Sequence, residues 1–223
     1  MHRGGMQSLL VLAGLLLIAA LAVNDDALAT LLGGAALITA GIAWFESGPV
    51  STRELTLVAT LGAAAAAGRV LFAAVPGVQP VTVTAIVAGA ALGLRAGIGT
   101  GALAALASNF FLGQGIWTPQ QMLGWAVCGA IGALLGPLLN NRYVLAAVAA
   151  VLGFAFSATM DIWLWYGFFP HTLGSLAAVV GRGLWFDASH AVGNVLFALV
   201  AGPELRRMLD RYGKRLKTEV VWA

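Results

Sequence analysis

The chain is a succession of apolar runs, most of them close to 20 residues long, separated by short turns that carry nearly all of its charge. A helix rises 1.5 Å per residue, so about 20 apolar residues match the roughly 30 Å hydrocarbon layer of a bilayer. The runs cover residues 8–23, 27–45, 55–75, 80–94, 97–112, 119–139, 143–166 and 183–202. They predict an all-α integral membrane protein of about eight transmembrane helices. Composition agrees: 60% of residues are hydrophobic and 9% charged, where soluble domains carry about 25% charged residues.

The net charge of +3 does not point to nucleic acid. The basic residues stand singly at turns and gather once, at the C-terminus, which is a topology signal rather than a phosphate-binding face. Cys128 has no partner cysteine, and three scattered histidines give no zinc spacing, so neither a disulfide nor a metal is expected. No small-residue cleavage site follows the first run, which therefore reads as retained.

Polar stretches divide the chain. Asn24-Asp25-Asp26 turn the first two runs into a hairpin. The linker 46–54 has Gly48-Pro49 to stop a helix and Ser51 or Thr52 to cap the next. This gives an N-terminal hairpin with linker at 1–50, a six-helix core at 51–203 and a basic tail at 204–223. The stretch 173–181 reads as a short interfacial segment ahead of the last crossing. The tail reads as a solvated or lipid-facing helix without chemistry.

Alternating eight crossings puts Arg3, Arg53, Arg95, Arg142 and the tail on one side, which is then cytoplasmic and holds both termini. The turns 76–80 and 113–119 and the loop 167–181 fall on the outside. Arg69 and Arg182 are the two basic residues outside this rule. A charge at the bilayer centre costs about 2.5–3.5 kcal/mol on insertion scales and marks function by default. Arg69 and Asp161 lie inside the outer boundary. Asp187, His190 and Asn194 recur at spacings of three and four, on one helical stripe. Arg182 stands at the entrance to that helix. These groups can converge on one cavity under the polar turns. The structural alternative is an ion pair of Arg69 with Asp161 or Asp187 that only pins helices. Trp117, Trp163, Trp165 and Trp185 fit an interfacial belt at least as well as a stacking platform.

No nucleophile elbow, zinc-protease motif or phosphate loop occurs, and lysines appear only in the tail. Any ATP-driven step would come from another subunit.

Three stretches, GRVLFAAVPGVQPVT (68–82), NFFLGQGIWTPQQMLGW (109–125) and WFDASHAVGNVLFALVAGP (185–203), resemble the substrate-binding S component of energy-coupling factor (ECF) vitamin transporters, in the subgroup associated with cobalamin and queuosine-precursor uptake. The resemblance implies a six-helix core that binds a vitamin or precursor on the outer side; with no catalytic motif in the sequence, neither enzymatic activity nor a cofactor is expected. It implies docking on a transmembrane coupling subunit, driven by two ATPase subunits, through small residues at Ala59, Ala63 and Ala67. It places Gln79, Gln114, Trp117 and Thr118 in substrate-covering loops. Beneath them, Arg69, Asn109, Asp161, Arg182, Asp187, His190 and Asn194 are the expected substrate contacts. The hairpin 8–45 is an addition to that pattern. Few charges and several aromatics suit a large ring system such as a corrinoid. Two other functions stay open: a membrane enzyme using Asp161, Asp187 and His190 as acid–base groups, and a self-contained secondary carrier, for which no paired inverted repeat stands out.

Overall fold

A computed structural model of the chain describes residues 3–47 and 51–219. The expected helix stop at Gly48-Pro49 lies outside the described residues. The order is α1 (Arg3–Ala22), α2 (Asp26–Glu46), α3 (Thr52–Leu71), α4 (Val81–Leu92), α5 (Leu94–Leu112), α6 (Thr118–Leu135), a 3-10 turn (Gly136–Asn140), α7 (Arg142–Phe168), α8 (Leu173–Val200) and α9 (Gly202–Glu219), with no strand among the described residues. The segments Gly5–Ala22, Asp26–Glu46, Thr52–Leu71, Thr118–Asn140, Arg142–Phe168 and Leu173–Val200 are long and apolar enough to cross a membrane. α4 is too short, and α5, which carries Arg95, Ser108 and Asn109, is not among these six. Large apolar side chains stand exposed, among them Leu21 (81%) and Phe111 (77%), as expected of a surface that meets lipid rather than water.

Local sequence sets the helix starts. The Asp25 carboxylate accepts from the Leu28 N–H at 2.8 Å, and the Ser51 hydroxyl accepts from Glu54 N–H at 3.1 Å. Asn141 caps α7, and Thr172 with Ser175 forms a reciprocal capping box on α8. Each cap satisfies amides that the first helical turn cannot.

The centre of the bundle is its shortest helix. At 12 residues, α4 is about 18 Å long, well short of a bilayer. It is buried from Val81 through Gly89 except at half-buried Thr84, and packs on α3, α5, α6, α7, α8 and α9. Glycine makes this possible. A Cβ on Gly129 of α6 would lie 2.2 Å from the Gly97 carbonyl of α5, and one on Gly132 would lie 2.1 Å from the Ile86 carbonyl of α4. The helices therefore touch backbone to backbone, the way small residues let helices associate in lipid.

Two expectations from the sequence are corrected. The stretch 173–181 is not a separate interfacial piece: α8 is one helix of 28 residues, so Arg182 lies within it, exposed, rather than at its entrance. Gly181 and Gly183 look like a break, yet a helical glycine costs only about 1 kcal/mol, and Gly183 provides the bare surface on which Asp161 sits. The tail is not wholly solvated either. α9 packs on α4, with Leu209 fully buried and Arg206 held by Asp210 (3.0 Å) and the Gly136 carbonyl (3.2 Å). α9 thus closes the end of α4 away from the cavity described below. Leu209→Ala is expected to lower stability by about 2–5 kcal/mol; a change under 1 kcal/mol in thermal or denaturant unfolding of detergent-solubilised protein would show that α9 is only loosely attached.

The N-terminal hairpin attaches through α2, against α6 and α7. Gln120 donates to the Thr30 carbonyl at 3.1 Å, His171 lies 3.5 Å from Asp26, and the Arg95 guanidinium sits 5.5 Å over the Trp44 ring. α1 is supported mainly by α2.

Candidate functional site

The chain between α3 and α4, residues 72–80, has no regular structure. It dips into the bundle above the short α4, because α4 does not fill the depth of its neighbours. There it meets the ends of α5 and α6 and the facing walls of α7 and α8, around an open cavity of about 460 Å³. Arg53, Arg95 and Arg142 all lie at the opposite helix ends.

Arg69 rises from the last turn of α3 into the cavity wall. Its Nε donates to the Gln79 side-chain oxygen at 2.8 Å. Its Nη1 donates to Ser108 Oγ at 2.7 Å and to Asn109 Oδ1 at 2.6 Å. The guanidinium lies 4.9 Å from the centre of the Trp125 ring, a cation–π contact. Among the described residues no carboxylate stands within ion-pairing distance of it. The expected ion pair with Asp161 or Asp187 is therefore not made. Neutral oxygens and a π face hold the cation, so its charge is not cancelled.

These partners are themselves held. The Asn109 amide donates to Thr118 Oγ1 (3.0 Å) and Gln121 Oε1 (2.9 Å), and the Thr118 hydroxyl donates to Gln114 Oε1 (2.9 Å). Gln114 in turn donates to the Leu106 carbonyl at 3.1 Å. Asn109, Gln114 and Thr118 thus form a brace behind Arg69 and do not line the cavity.

His190 is fully buried beneath the loop. Its Nδ1 lies 2.6 Å from the Gly77 carbonyl, which can only accept, so Nδ1 carries the hydrogen. Nε2 then accepts from Thr82 Oγ1 at 3.2 Å, and Thr82 accepts from the Trp125 indole N–H at 3.1 Å. The ring fixes the 76–79 turn and does not reach the cavity. Gly77 must be glycine here: its φ is +77°, and a Cβ would sit 2.8 Å from the Phe186 carbonyl. Asn194, one turn further along, is fully buried against Gly153 and likewise lies away from the cavity. Of the α8 stripe, only Asp187 lines it.

On the opposite wall the carboxyl groups of Asp161 (α7) and Asp187 (α8) adjoin, with Ser157 one turn before Asp161 and beside Asp187. Asp161 Oδ2 and Ser157 Oγ are buried and make no full hydrogen bond among the described residues. Arg182 acts on Asp161 electrostatically but does not line the cavity.

Aromatic rings supply the remaining walls. Phe156 stacks on Trp125 with centroids 4.3 Å apart, and Phe72, Trp117, Trp163 and Phe186 face the cavity. Trp165 instead donates to Ser175 Oγ, and Trp185 is 79% exposed, as a belt residue would be.

The structure therefore brings together Arg69, Gln79, Trp117, Asp161 and Asp187 of the residues singled out from sequence. It sets Asn109, Gln114, Thr118, His190 and Asn194 behind them, and Arg182 outside. The sequence reasoning passed over Ser157, Gln121, Phe156 and Phe186. Ser157 carried a signal, standing four residues before Asp161 on the same helical face. Ala59, Ala63 and Ala67 all lie exposed along α3, while Val58, Leu61, Ala65 and Ala66 turn inward. No family model, no curated protein and no solved structure matches the chain, so the case for what the cavity holds rests on its own geometry.

Proposed function

We propose that the chain is the solute-binding membrane subunit of an ATP-driven importer of the energy-coupling factor type, taking a vitamin or vitamin precursor from outside the cell. One observation carries this: a cavity at the polar-turn end of the bundle holds an arginine that pairs with no carboxylate among the described residues. Leaving a buried cation uncompensated is costly in lipid, and the cost is recovered when a guest supplies the counter-group. In this reading all eight helices of the hairpin and core count as crossings, with α4 a partial one completed by the cavity and α9. The termini face the cytoplasm, because Arg53, Arg95, Arg142 and α9 share the end away from the cavity.

The exposed stripe Ala59, Ala63 and Ala67 is the docking face for a transmembrane coupling subunit, which two ATPase subunits would drive. Small side chains there allow close helix approach, and α3 leaves them uncovered. The acid–base alternative needs His190 beside the two carboxyls, but His190 is committed to Gly77 and Thr82. Uptake of candidate vitamins should require co-expression of a coupling module. Replacing Ala59, Ala63 and Ala67 together with leucine should lower that uptake at least about tenfold, since the added bulk blocks close approach, while leaving the amount of folded protein unchanged. Uptake that is equal without the module would remove this reading.

A further inference from the structure

We infer that the cavity takes a small aromatic zwitterion, with a cationic nitrogen against Asp161 and Asp187, an anionic or carbonyl oxygen against Arg69, and a ring between them. This rests on the importer reading and narrows its substrate.

Charges of both signs line one cavity without meeting. Attraction between them grows as the dielectric falls, so a ligand-free design would be expected to close Arg69 onto a carboxylate. The protein instead braces Arg69 from behind, through Gln79, Ser108 and Asn109, and holds the carboxyls apart from it on α7 and α8. Arg182 acts on Asp161 from outside the cavity and makes no ion pair with it among the described residues.

Each end has unused hydrogen-bonding capacity. At the acidic corner Ser157 is only 3% exposed and lines the cavity; Ser157 and Asp161 turn toward Asp187, yet neither Ser157 Oγ nor Asp161 Oδ2 makes a well-formed hydrogen bond among the described residues. Two carboxyls and a hydroxyl present acceptors, the complement of an ammonium or other N–H cation. At the basic end Arg69 uses Nε and Nη1, and no partner is seen for Nη2 among the described residues. A guanidinium nitrogen presented this way suits an oxygen acceptor. Phe72, Trp117, Phe156 and Phe186 line the same cavity and suit a flat ring.

Size decides between ring systems. About 460 Å³ lies toward the low end of the roughly 300–1,000 Å³ of ligand pockets. One fused ring with two short arms fits within it, whereas a corrin with its appended nucleotide exceeds it. The assigned ligand is therefore smaller than the corrinoid that aromatic content alone suggested.

The test uses the full chain in lipid nanodiscs and an equimolar mixture of tryptophan, tryptamine, indole-3-propionate and cyanocobalamin, with native mass spectrometry scoring retention. The first three share the indole ring and differ in which charged groups the side arm carries: both, the ammonium alone or the carboxylate alone. The expected result is tryptophan retained at least about tenfold over tryptamine and indole-3-propionate. Asp187→Asn, and independently Asp161→Asn, should remove that preference and move the ranking toward indole-3-propionate. Preference of the unaltered chain for tryptamine, indole-3-propionate or cyanocobalamin overturns the inference, as does retention of none of them or an unchanged ranking in both variants. Cyanocobalamin bound alone, with uptake still dependent on a coupling module, would remove this inference and leave the importer reading standing. Uptake independent of a module would remove the importer reading whatever the probes do.

Discussion

Leucine in place of Gly129 is expected to abolish folded protein altogether. The Cα of Gly129 faces the Gly97 backbone, with a hypothetical Cβ 2.2 Å from both the carbonyl carbon and oxygen. Backbone atoms inside helices cannot step aside as a side-chain tip can. Overpacking a well-ordered core typically costs about 1–3 kcal/mol when neighbours can yield. Here α5 and α6 would have to separate, and α6 would lose its seat against Ile86 of α4 as well, since Gly132 makes the same kind of contact one turn on. Even Gly129→Ala should sharply reduce the monodisperse fraction in size-exclusion chromatography. Leucine at Gly14 of α1, where nothing lies within 4 Å of the added Cβ, should have little effect. Equal yields of the Gly129→Leu and Gly14→Leu proteins would show that α5 and α6 do not meet backbone to backbone.

The second large effect is at Arg69. Arg69→Met keeps the apolar stem and removes the charge. It leaves Gln79 Oε1, Asn109 Oδ1 and Ser108 Oγ without their donor, at about 1–3 kcal/mol for each buried group that finds no other partner. Folded protein should therefore be less stable yet present. Truncating one side of a desolvated charged contact costs about 2–5 kcal/mol of binding, so solute affinity should fall about 30-fold to several thousand-fold. Arg69→Lys separates charge from geometry. A lysine restores the cation but cannot serve Gln79 and the Ser108–Asn109 pair from one planar fork, and it should recover stability only in part and binding less. Equilibrium dialysis of the solute against the three proteins measures this. Equal affinities would mean that Arg69 is a structural pin.

Much of this arrangement was legible in the sequence because it depends on local chemistry. Ser51, one of the two residues expected to cap the helix after the linker, does so. The proline-flanked turn at 76–80 and the glycine-rich turn at 113–119 fall at the cavity end, as single basic turns at the other end suggested. Arg69, Asp161 and Asp187 were conspicuous because charge is rare in such a chain. What could not be read was where each charge turns. An isolated arginine in an apolar helix suggests a carboxylate partner, but its partners here are an amide 10 residues away and a hydroxyl and an amide 39 and 40 residues away, brought near only by packing of α3 on α5. His190 and Asn194 share a helical stripe with Asp187, yet the 76–79 loop drops over His190 and separates it from the cavity. The central role of α4 was hidden because burial on every side leaves no periodicity to detect. The tail did carry a signal: Leu205, Leu209 and Tyr212 recur at spacings of four and three, the mark of a helix with one packed face. Its many charges drew attention away from that face.

The central claim is that the cavity beside Arg69 exists to hold a solute. Native mass spectrometry of the full chain, purified in mild detergent from cells grown in rich medium, tests it most directly when run beside Arg69→Met. The account predicts one small molecule bound per chain in the unaltered protein and its loss from the variant, with both eluting as folded species. A bound molecule retained equally by both, or none retained by the unaltered chain, would contradict it.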